Sequence, residues 1–217
     1  MRLEPRPAHG LELDHVLIAV SNLAAAGHQI EARYGLASIE GGRHPGWGTA
    51  NRIIPLGETY IELVAVVDEG EAAKSAFGRW VAGSTSGKPL GWAVRTQELD
   101  EVAGRLGLTV STNSRTDHSG RRLQWRVAGV QQAAVEPSLP FFLEWGEGTP
   151  LPGRAEARHR AGAVEISGLE LHGDADRVAA WLGRQRLPIT VRPVAPAVAS
   201  ITLIGGAGEF VMDGIHS

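Results

Sequence analysis

Three side chains that could carry out chemistry lie inside otherwise apolar, strand-like segments of the sequence. His15 sits within the run LDHVLIAV, Glu62 within YIELVAV and Glu144 within FFLEW. An imidazole or a carboxylate is costly to bury without a partner, so each marks either a site or a paired structural contact. The chain has no cysteine, which excludes disulfides, thiolate zinc sites and a cysteine nucleophile. A metal ion would therefore need His, Asp or Glu ligands.

The composition limits the class of partner. The chain has 217 residues, of which 43% are hydrophobic and 21% charged, as in an ordinary globular protein with a sizeable core. Its net charge of −3, without a Lys/Arg run, argues against a nucleic-acid partner. Residues 1–10 lack the apolar region of a signal peptide, and no apolar run is long enough to span a membrane. We therefore expect a cytoplasmic protein that binds a small molecule, not a membrane, and uses no organic cofactor.

The first part of the chain reads as a βαβββ unit. Residues 11–20 form a strand pattern, Ser21 and Asn22 offer a cap for a helix over residues 23–34, and Gly35 ends it. Strands follow over residues 36–41, 51–56 and 60–67, and the glycine-rich loop 42–48 lies between the first two.

The same order of elements then returns. It comprises a strand over 90–95, a helix over 98–106, and strands over 109–114, 122–127 and 141–145. Aligning Leu23 with Leu99 places Glu62 opposite Glu144 and His15 opposite Gly91. An internal repeat of this length predicts tandem modules, and the matching positions favour a shared inward face for the two carboxylates over exposed strand edges.

A weaker third copy follows a polar linker at residues 146–162. Its predicted elements are a strand over 164–172, a helix over 174–185, and short strands over 189–193, 200–204 and 209–212. We expect modules 11–67 and 89–146 to pair within one domain, 11–146. The unit 163–217 would extend the sheet or contribute a contact in a homodimer.

Five stretches of the sequence resemble the glyoxalase-like branch of the vicinal oxygen chelate (glyoxalase/bleomycin resistance/dioxygenase) superfamily. They are LDH at 13–15, GGRHPGWGTANRIIPLG at 41–57, YIEL at 60–63, RRLQWRV at 121–127 and PFFLE at 140–144. The resemblance covers residues 11–146. It implies an α+β fold in which tandem βαβββ modules form a cup-shaped mixed β-sheet, with a degenerate third module at the C-terminus. The superfamily's activities include lyases, isomerases, dioxygenases and metal-free binding proteins, so fold alone does not select one.

The resemblance also implies a set of metal ligands. In metal-dependent members the ligands come from the first and last strands of each module, which here gives His15, Glu62 and Glu144. The fourth position falls on Gly91, which has no side chain to ligate. One imidazole and two carboxylates suit a divalent Mn, Fe, Co, Ni or Zn ion. Such an ion would polarise two adjacent substrate oxygens, and Glu144, once displaced, would act as a base.

Other residues are expected to assist. Arg52 and His44 would orient the substrate during catalysis, and Asn51, Trp125 and Tyr60 would bind it. Three of them have a plainer interpretation: Arg52 as a surface arginine, His44 as part of a turn whose glycines serve only backbone geometry, and Trp125 as a core aromatic. His15 itself could be a metal ligand, a cavity residue without metal, or a structural histidine paired with a carboxylate.

Two functions of different class follow. The preferred hypothesis is a metal-assisted lyase, isomerase or dioxygenase acting on a small oxygenated metabolite. The alternative, favoured by Gly91, is a metal-free protein that binds or sequesters a small molecule, as bleomycin-resistance proteins do. A purely structural role would rest on the unpaired third module.

Overall fold

The computed structural model describes residues 10–116, 120–183 and 185–215. Within these ranges the chain forms twelve β-strands in two sheets, with six α-helices. None of the described helices is long and apolar enough to cross a membrane.

The first βαβββ module follows the predicted order. It consists of β1 (Glu12–Ala19), α1 (Leu23–Tyr34), β2 (Ile39–His44), β3 (Thr49–Leu56) and β4 (Thr59–Val66). The side chain of Asn22 caps α1 by accepting a hydrogen bond from the amide of Ala25, and Gly35 ends the helix in the left-handed conformation. Strand β2 continues to His44, so the predicted glycine-rich loop shrinks to a turn before Thr49.

The second module repeats this order with added helices. Its elements are β5 (Pro89–Arg95), α4 (Leu99–Leu106), β6 (Val110–Thr116), β7 (Arg122–Ala128) and β8 (Phe141–Trp145). Two helices connect the modules, α2 (Glu69–Ala72) and α3 (Ala76–Ala82), and α5 (Val130–Val135) lies between β7 and β8. The sequence analysis did not predict these three helices, because helices of four to seven residues are too short to show a clear period.

The two modules form one eight-stranded mixed sheet in the order β2-β3-β4-β1-β5-β8-β7-β6. Strands β1 and β5 pair antiparallel at the centre, while β1–β4 and β5–β8 pair parallel. The sheet curls until its edges meet, where the guanidinium of Arg115 on β6 donates to the carbonyl of Gly41 on β2. The predicted cup-shaped α+β fold is thus confirmed.

The C-terminal unit also has the βαβββ order, with β9 (Val164–His172), α6 (Ala175–Leu182), β10 (Ile189–Arg192), β11 (Ala197–Gly205) and β12 (Gly208–Met212). It forms its own sheet in the order β10-β9-β11-β12 and does not extend the cup. Its first strand lies between the second and third, whereas β1 and β5 each pair with the last strand of their module. This different arrangement explains why its repeat signal is weak.

Apolar residues divide between two cores according to strand alternation. Val16, Ile18 and Phe142 point out of the cup into a core shared with the C-terminal unit, where the ring of Phe142 lies 6.0 Å from that of Trp181. The alternate residues Leu17 and Ala19 point into the cup. The third module is therefore packed against the outer face of the cup.

Candidate functional site

A small cavity lies inside the cup beneath α3 and α5. Six residues predicted from the sequence line it: His15, His44, Asn51, Tyr60, Glu62 and Trp125. The structure thus brings together side chains from β1, β2, β3, β4 and β7. Two other predicted residues, Arg52 and Glu144, do not line this cavity.

A β-bulge in β1 places Asp14 beside His15. The register of β1 with β5 shifts between Leu13 and His15, so one residue is inserted at this point. Because successive side chains of a regular strand point to opposite faces, the bulge is what lets two neighbours meet. The carboxylate of Asp14 is buried and accepts from Nδ1 of His15 at 2.7 Å and from Nε1 of Trp145 at 2.8 Å.

The bond to Asp14 assigns the tautomer of His15. A carboxylate only accepts, so Nδ1 carries the proton and Nε2 of the neutral ring carries the lone pair. Nε2 lies 3.3 Å from Oε2 of Glu62, but it is buried without a hydrogen-bond partner of suitable geometry. This approach is not a hydrogen bond, since two acceptors that face each other attract only when a proton or cation lies between them.

The polar wall continues through Asn51 and His44. Nδ2 of Asn51 donates to Oε1 of Glu62 at 2.7 Å, and Nε2 of His44 lies 3.7 Å from the same oxygen. Nδ1 of His44 bonds Oγ1 of Thr49 at 2.8 Å. Burial lowers the pKa of His44 to about 4, although nearby Glu62 acts in the opposite direction. His44 is therefore neutral at neutral pH.

Tyr60 packs flat on His15. The two rings are stacked with centroids 4.5 Å apart, as neighbours in the parallel pair of β1 and β4. Burial, together with the negative charges of Asp14 and Glu62, raises the pKa of Tyr60 well above its ordinary value. Its hydroxyl therefore stays protonated and remains a hydrogen-bond donor in the site.

Arg115 is a site residue that sequence analysis missed. It lies on β6, is buried and lines the cavity. Its positive charge adds to the lowering of the pKa of His44 and partly opposes the raising of the pKa of Tyr60. The signal that could have found it is an arginine near the end of the second strand of the second module, but a surface arginine has the same appearance in sequence. Only closure of the sheet places it against β2.

Glu144 is the main correction to the predicted site. On β8 the residues facing the cavity are Phe141, Leu143 and Trp145, so Glu144 points away. It is partly exposed and forms an ion pair with Arg126, whose Nη1 lies 2.6 Å away. The expected alignment of Glu62 with Glu144 was one residue out of register, and a shift by one residue moves a side chain to the opposite face.

Arg52 was also misplaced by the sequence analysis. It follows the inward-facing Asn51 directly, so it lies on the outer face of β3. There its Nε donates to Oγ of Ser38 at 3.0 Å and its Nη2 to the carbonyl of Ser38 at 2.8 Å. Arg52 therefore helps to hold the segment before β2 and does not contact the cavity.

Among the described residues of the second module, those that line the cavity include no His, Asp or Glu. The parallel registers pair His15 with Tyr60 and Ala93 with Phe141, which makes Ala93 the counterpart of His15, with Gly91 two residues away on the same face. A Cβ on Gly91 would overlap the six-membered ring of Trp80. The position expected for a fourth ligand is thus already filled by an indole.

The donors in the cup do not fit the metal centre that the resemblance implies. His15 and Glu62 are the two expected ligands that face the same space, while Glu144 and Gly91 contribute nothing to it. In the parts of the chain that the structure describes, no group of three or more His, Cys, Asp or Glu side chains is placed to hold a metal ion.

Aromatic rings surround the rest of the cavity. Seven rings form a chain of contacts in which the centroids of consecutive rings lie 4.8 to 6.5 Å apart. We call this set the aromatic belt. In order, its members are His15, Phe141, Trp80, Phe77, Trp47, Trp125 and Trp145. The hydrogen bond from Trp145 to Asp14, and that from His15 to Asp14, close the belt. Phe77 and Trp80 come from α3, which the sequence analysis did not predict.

Comparison with known families agrees with this fold. Residues 13–186 match the glyoxalase-like domain family. The chain belongs to this family. The match covers both modules of the cup and part of the C-terminal unit, and it confirms the resemblance found in the sequence. None of the curated protein sequences matches the chain.

Solved structures share the fold at low identity. A hypothetical protein from Staphylococcus aureus is 15% identical, with a TM-score of 0.66 over 89% of this glyoxalase-like chain and 90% of that one. Methylmalonyl-CoA epimerase from Mycobacterium tuberculosis is 18% identical, with a TM-score of 0.44 over 66% of this chain and 91% of its own. Hypothetical protein BH1468 from Bacillus halodurans C-125 is 16% identical, with a TM-score of 0.45 over 68% and 99%.

Proposed function

We propose that this glyoxalase-like protein is an enzyme that transfers a proton on a small oxygenated substrate bound inside the cup, with His15 as the proton carrier. The observation that carries the proposal is the buried Nε2 of His15, which has no hydrogen-bond partner and lines the cavity. A buried polar atom left unbonded is destabilising, so its retention here is best explained by a substrate atom that bonds it.

Asp14 makes His15 a competent base. Its carboxylate fixes the ring with Nδ1 protonated and stabilises the imidazolium that forms when Nε2 takes a proton, which is the role of the carboxylate in Asp-His pairs generally. In the proposed step a C–H bond next to a substrate carbonyl breaks. The proton goes to Nε2 and the electron pair moves to the carbonyl oxygen.

The remaining polar residues would hold the substrate and its developing charge. The guanidinium of Arg115 would stabilise the enolate oxygen. Tyr60, which stays protonated, would hold Asp14 in place through its hydrogen bond to that carboxylate. The carboxylate of Glu62 lies 3.3 Å from Nε2 of His15. It could take the proton from the imidazolium and, as a carboxylic acid, give it to a second substrate atom, as an isomerase requires.

Deuterium exchange tests this proposal without knowledge of the product. The protein, treated with chelator, would be incubated in D₂O with a panel of 2-oxo acids, 2-hydroxy acids and 1,2-dicarbonyls, and loss of C–H signals followed by NMR. We expect exchange with at least one compound, and loss of that exchange in His15→Gln. Glu144→Gln is the matched control, because its carboxylate lies outside the cavity.

Metal dependence separates this proposal from the metal-assisted enzyme. Elemental analysis of untagged protein would accompany the exchange assay. Exchange that required added Mn²⁺, Fe²⁺, Co²⁺, Ni²⁺ or Zn²⁺, together with a stoichiometric metal lost in Glu62→Gln, would contradict metal-independent proton transfer and restore the metal-assisted mechanism.

The second candidate function is metal-free binding of a small molecule without turnover. The aromatic belt favours it, since a cavity with mostly apolar walls and a few polar groups is suited to ligand capture. Saturable binding of a compound that shows no exchange and leaves unchanged would support sequestration over catalysis.

A further inference from the structure

The inner surface of the cup is chemically divided, and the division indicates the class of ligand. One wall, from β1 to β4, carries the polar side chains of His15, Asn51 and Glu62, with His44 beyond them. The other wall, from β7 and β8, carries Trp125, Phe141 and Leu143. A ligand that satisfies both walls needs a polar end and an apolar body.

The apolar body is best matched by a planar ring. Five of the residues lining the cavity are Phe or Trp, and neighbouring rings of the belt meet in edge-to-face and tilted contacts. Flat rings gain from such offset or edge-to-face contacts beyond the burial of apolar area. A saturated ring of equal size gains the burial alone.

The polar end is best matched by an anionic oxygen group. Arg115 brings a buried positive charge to the cavity wall, and His44 and Tyr60 are both held neutral beside it. A guanidinium binds a carboxylate or enolate through two parallel hydrogen bonds. A cationic ligand, which aromatic rings can also bind, would be repelled by Arg115 and attracted by the carboxylate of Glu62, which lines the same cavity. A cationic probe therefore tests which of the two charges governs binding.

We propose that the cavity binds small aromatic acids in which an aryl ring lies within the aromatic belt and an oxygen-bearing anionic group faces Arg115 and His15. This deepens the proposed function and rests on it for the identity of the reacting end. Binding of such an acid depends only on the polar and apolar walls of the cavity and does not require proton transfer.

Four probe compounds separate the requirements. Benzoylformate carries the ring and the acid, cyclohexylglyoxylate has a saturated ring, benzoylformamide has no charge, and phenyltrimethylammonium has the opposite charge. Binding to the full chain would be measured by calorimetry. We expect benzoylformate to bind at least ~10-fold more tightly than any of the other three, which is a difference of about 1.4 kcal/mol.

Two variants test which residue is responsible for the preference for an aromatic ring and which for the preference for an acid. Trp125→Leu should abolish the preference for the aromatic over the saturated ring, and Arg115→Gln should abolish the preference for the acid over the amide. Trp47→Leu, at a half-buried position in the belt, provides the same test if Trp125→Leu does not fold. Arg122→Gln, an exposed arginine on the same hairpin, should keep both preferences.

The possible outcomes are distinct. Equal binding of aromatic and saturated acids, tighter binding of the cation, or no binding of any probe would overturn the aromatic-acid assignment. Tight binding of benzoylformate that survives in His15→Gln supports it, even where no member of the panel of 2-oxo acids, 2-hydroxy acids and 1,2-dicarbonyls exchanges deuterium, in which case only the proton-transfer proposal falls. Deuterium exchange with aliphatic members of that panel but not with phenylpyruvate, an aromatic 2-oxo acid that has an exchangeable C–H, would overturn the assignment and leave proton transfer standing.

Discussion

The six-membered ring of Trp80 fills the space that any side chain at position 91 would need. Trp80 comes from α3, and Gly91 lies on the central strand β5. The helix can cover the mouth of the cup this closely only because the strand beneath it lacks a Cβ. The glycine that leaves position 91 without a metal-ligating side chain is therefore also what allows Trp80 to cover the cup.

Gly91→Ala should destabilise the protein. The added methyl group must displace Trp80 in a packed region, which typically costs about 1–3 kcal/mol. In a Trp80→Leu background the same substitution should cost less, since the two sites are in direct contact. Urea denaturation of the single and double variants would measure both values.

Gly104→Ala is the matched control for that substitution. Gly104 lies inside α4 and nothing is within 4 Å of an added Cβ. Because alanine is the better helix former, this variant should be more stable by about 0.5–1 kcal/mol. Equal effects of the two substitutions would contradict the proposed overlap with Trp80.

His44 should make stability depend on pH. Its pKa is about 4 in the folded protein against about 6.5 in an unfolded chain. The unfolded state therefore binds more protons between these values, so stability falls as pH is lowered from about 6.5 towards 4, by up to about 3 kcal/mol. His44→Asn, which can still bond Thr49, should show a smaller slope across this interval in denaturation curves. An unchanged slope would mean that His44 titrates normally.

Asp14→Asn should disturb three donors at once. Nδ1 of His15 and Nε1 of Trp145 bond the carboxylate, and the hydroxyl of Tyr60 also donates to it. An amide has only one oxygen to accept them. We expect a loss of about 1–3 kcal/mol in unfolding free energy, the usual cost of a buried unsatisfied donor. The ¹⁵N shifts of the imidazole should also show the loss of the pure Nδ1–H tautomer. Trp145→Phe removes one donor and should leave that tautomer unchanged.

The two glutamates should differ sharply in function. Glu62→Gln replaces the carboxylate next to His15 and should slow deuterium exchange by about 10²-fold or more, as removal of an acid–base group does. Glu144→Gln only breaks an ion pair with Arg126 on the outer surface, so its exchange rate should stay within about twofold. A large effect of Glu144→Gln would indicate that Glu144 faces the cavity, as the alignment of Glu62 with Glu144 in the sequence predicted.

Much of the fold was readable from the sequence because its signals are local. The cap at Asn22, the stop at Gly35 and the alternation in β4 depend on neighbouring residues, and they correctly placed Tyr60 and Glu62 on one face. Module order followed from the repeat. These signals also identified six residues that line the cavity.

The errors arose where geometry depends on distant contacts. A one-residue error in aligning β4 with β8 moved Glu144 to the wrong face, and period-two alternation gives no internal check on such a shift. The bulge that brings Asp14 to His15 appears only in the pairing of β1 with β5. Arg115 reaches the cavity only because the two edges of the sheet meet.

The core shared by the cup and the C-terminal unit has a consequence for synthesis. Ribosomes make β9 to β12 after the strands of the cup, so the outward-facing side chains of Trp92 and Phe142 have no permanent cover until β11 and α6 emerge. During that interval the nascent chain exposes an apolar surface of the kind that chaperones bind. Slow codons placed after residue 146 should therefore lengthen chaperone association, and release should coincide with completion of the C-terminal sheet.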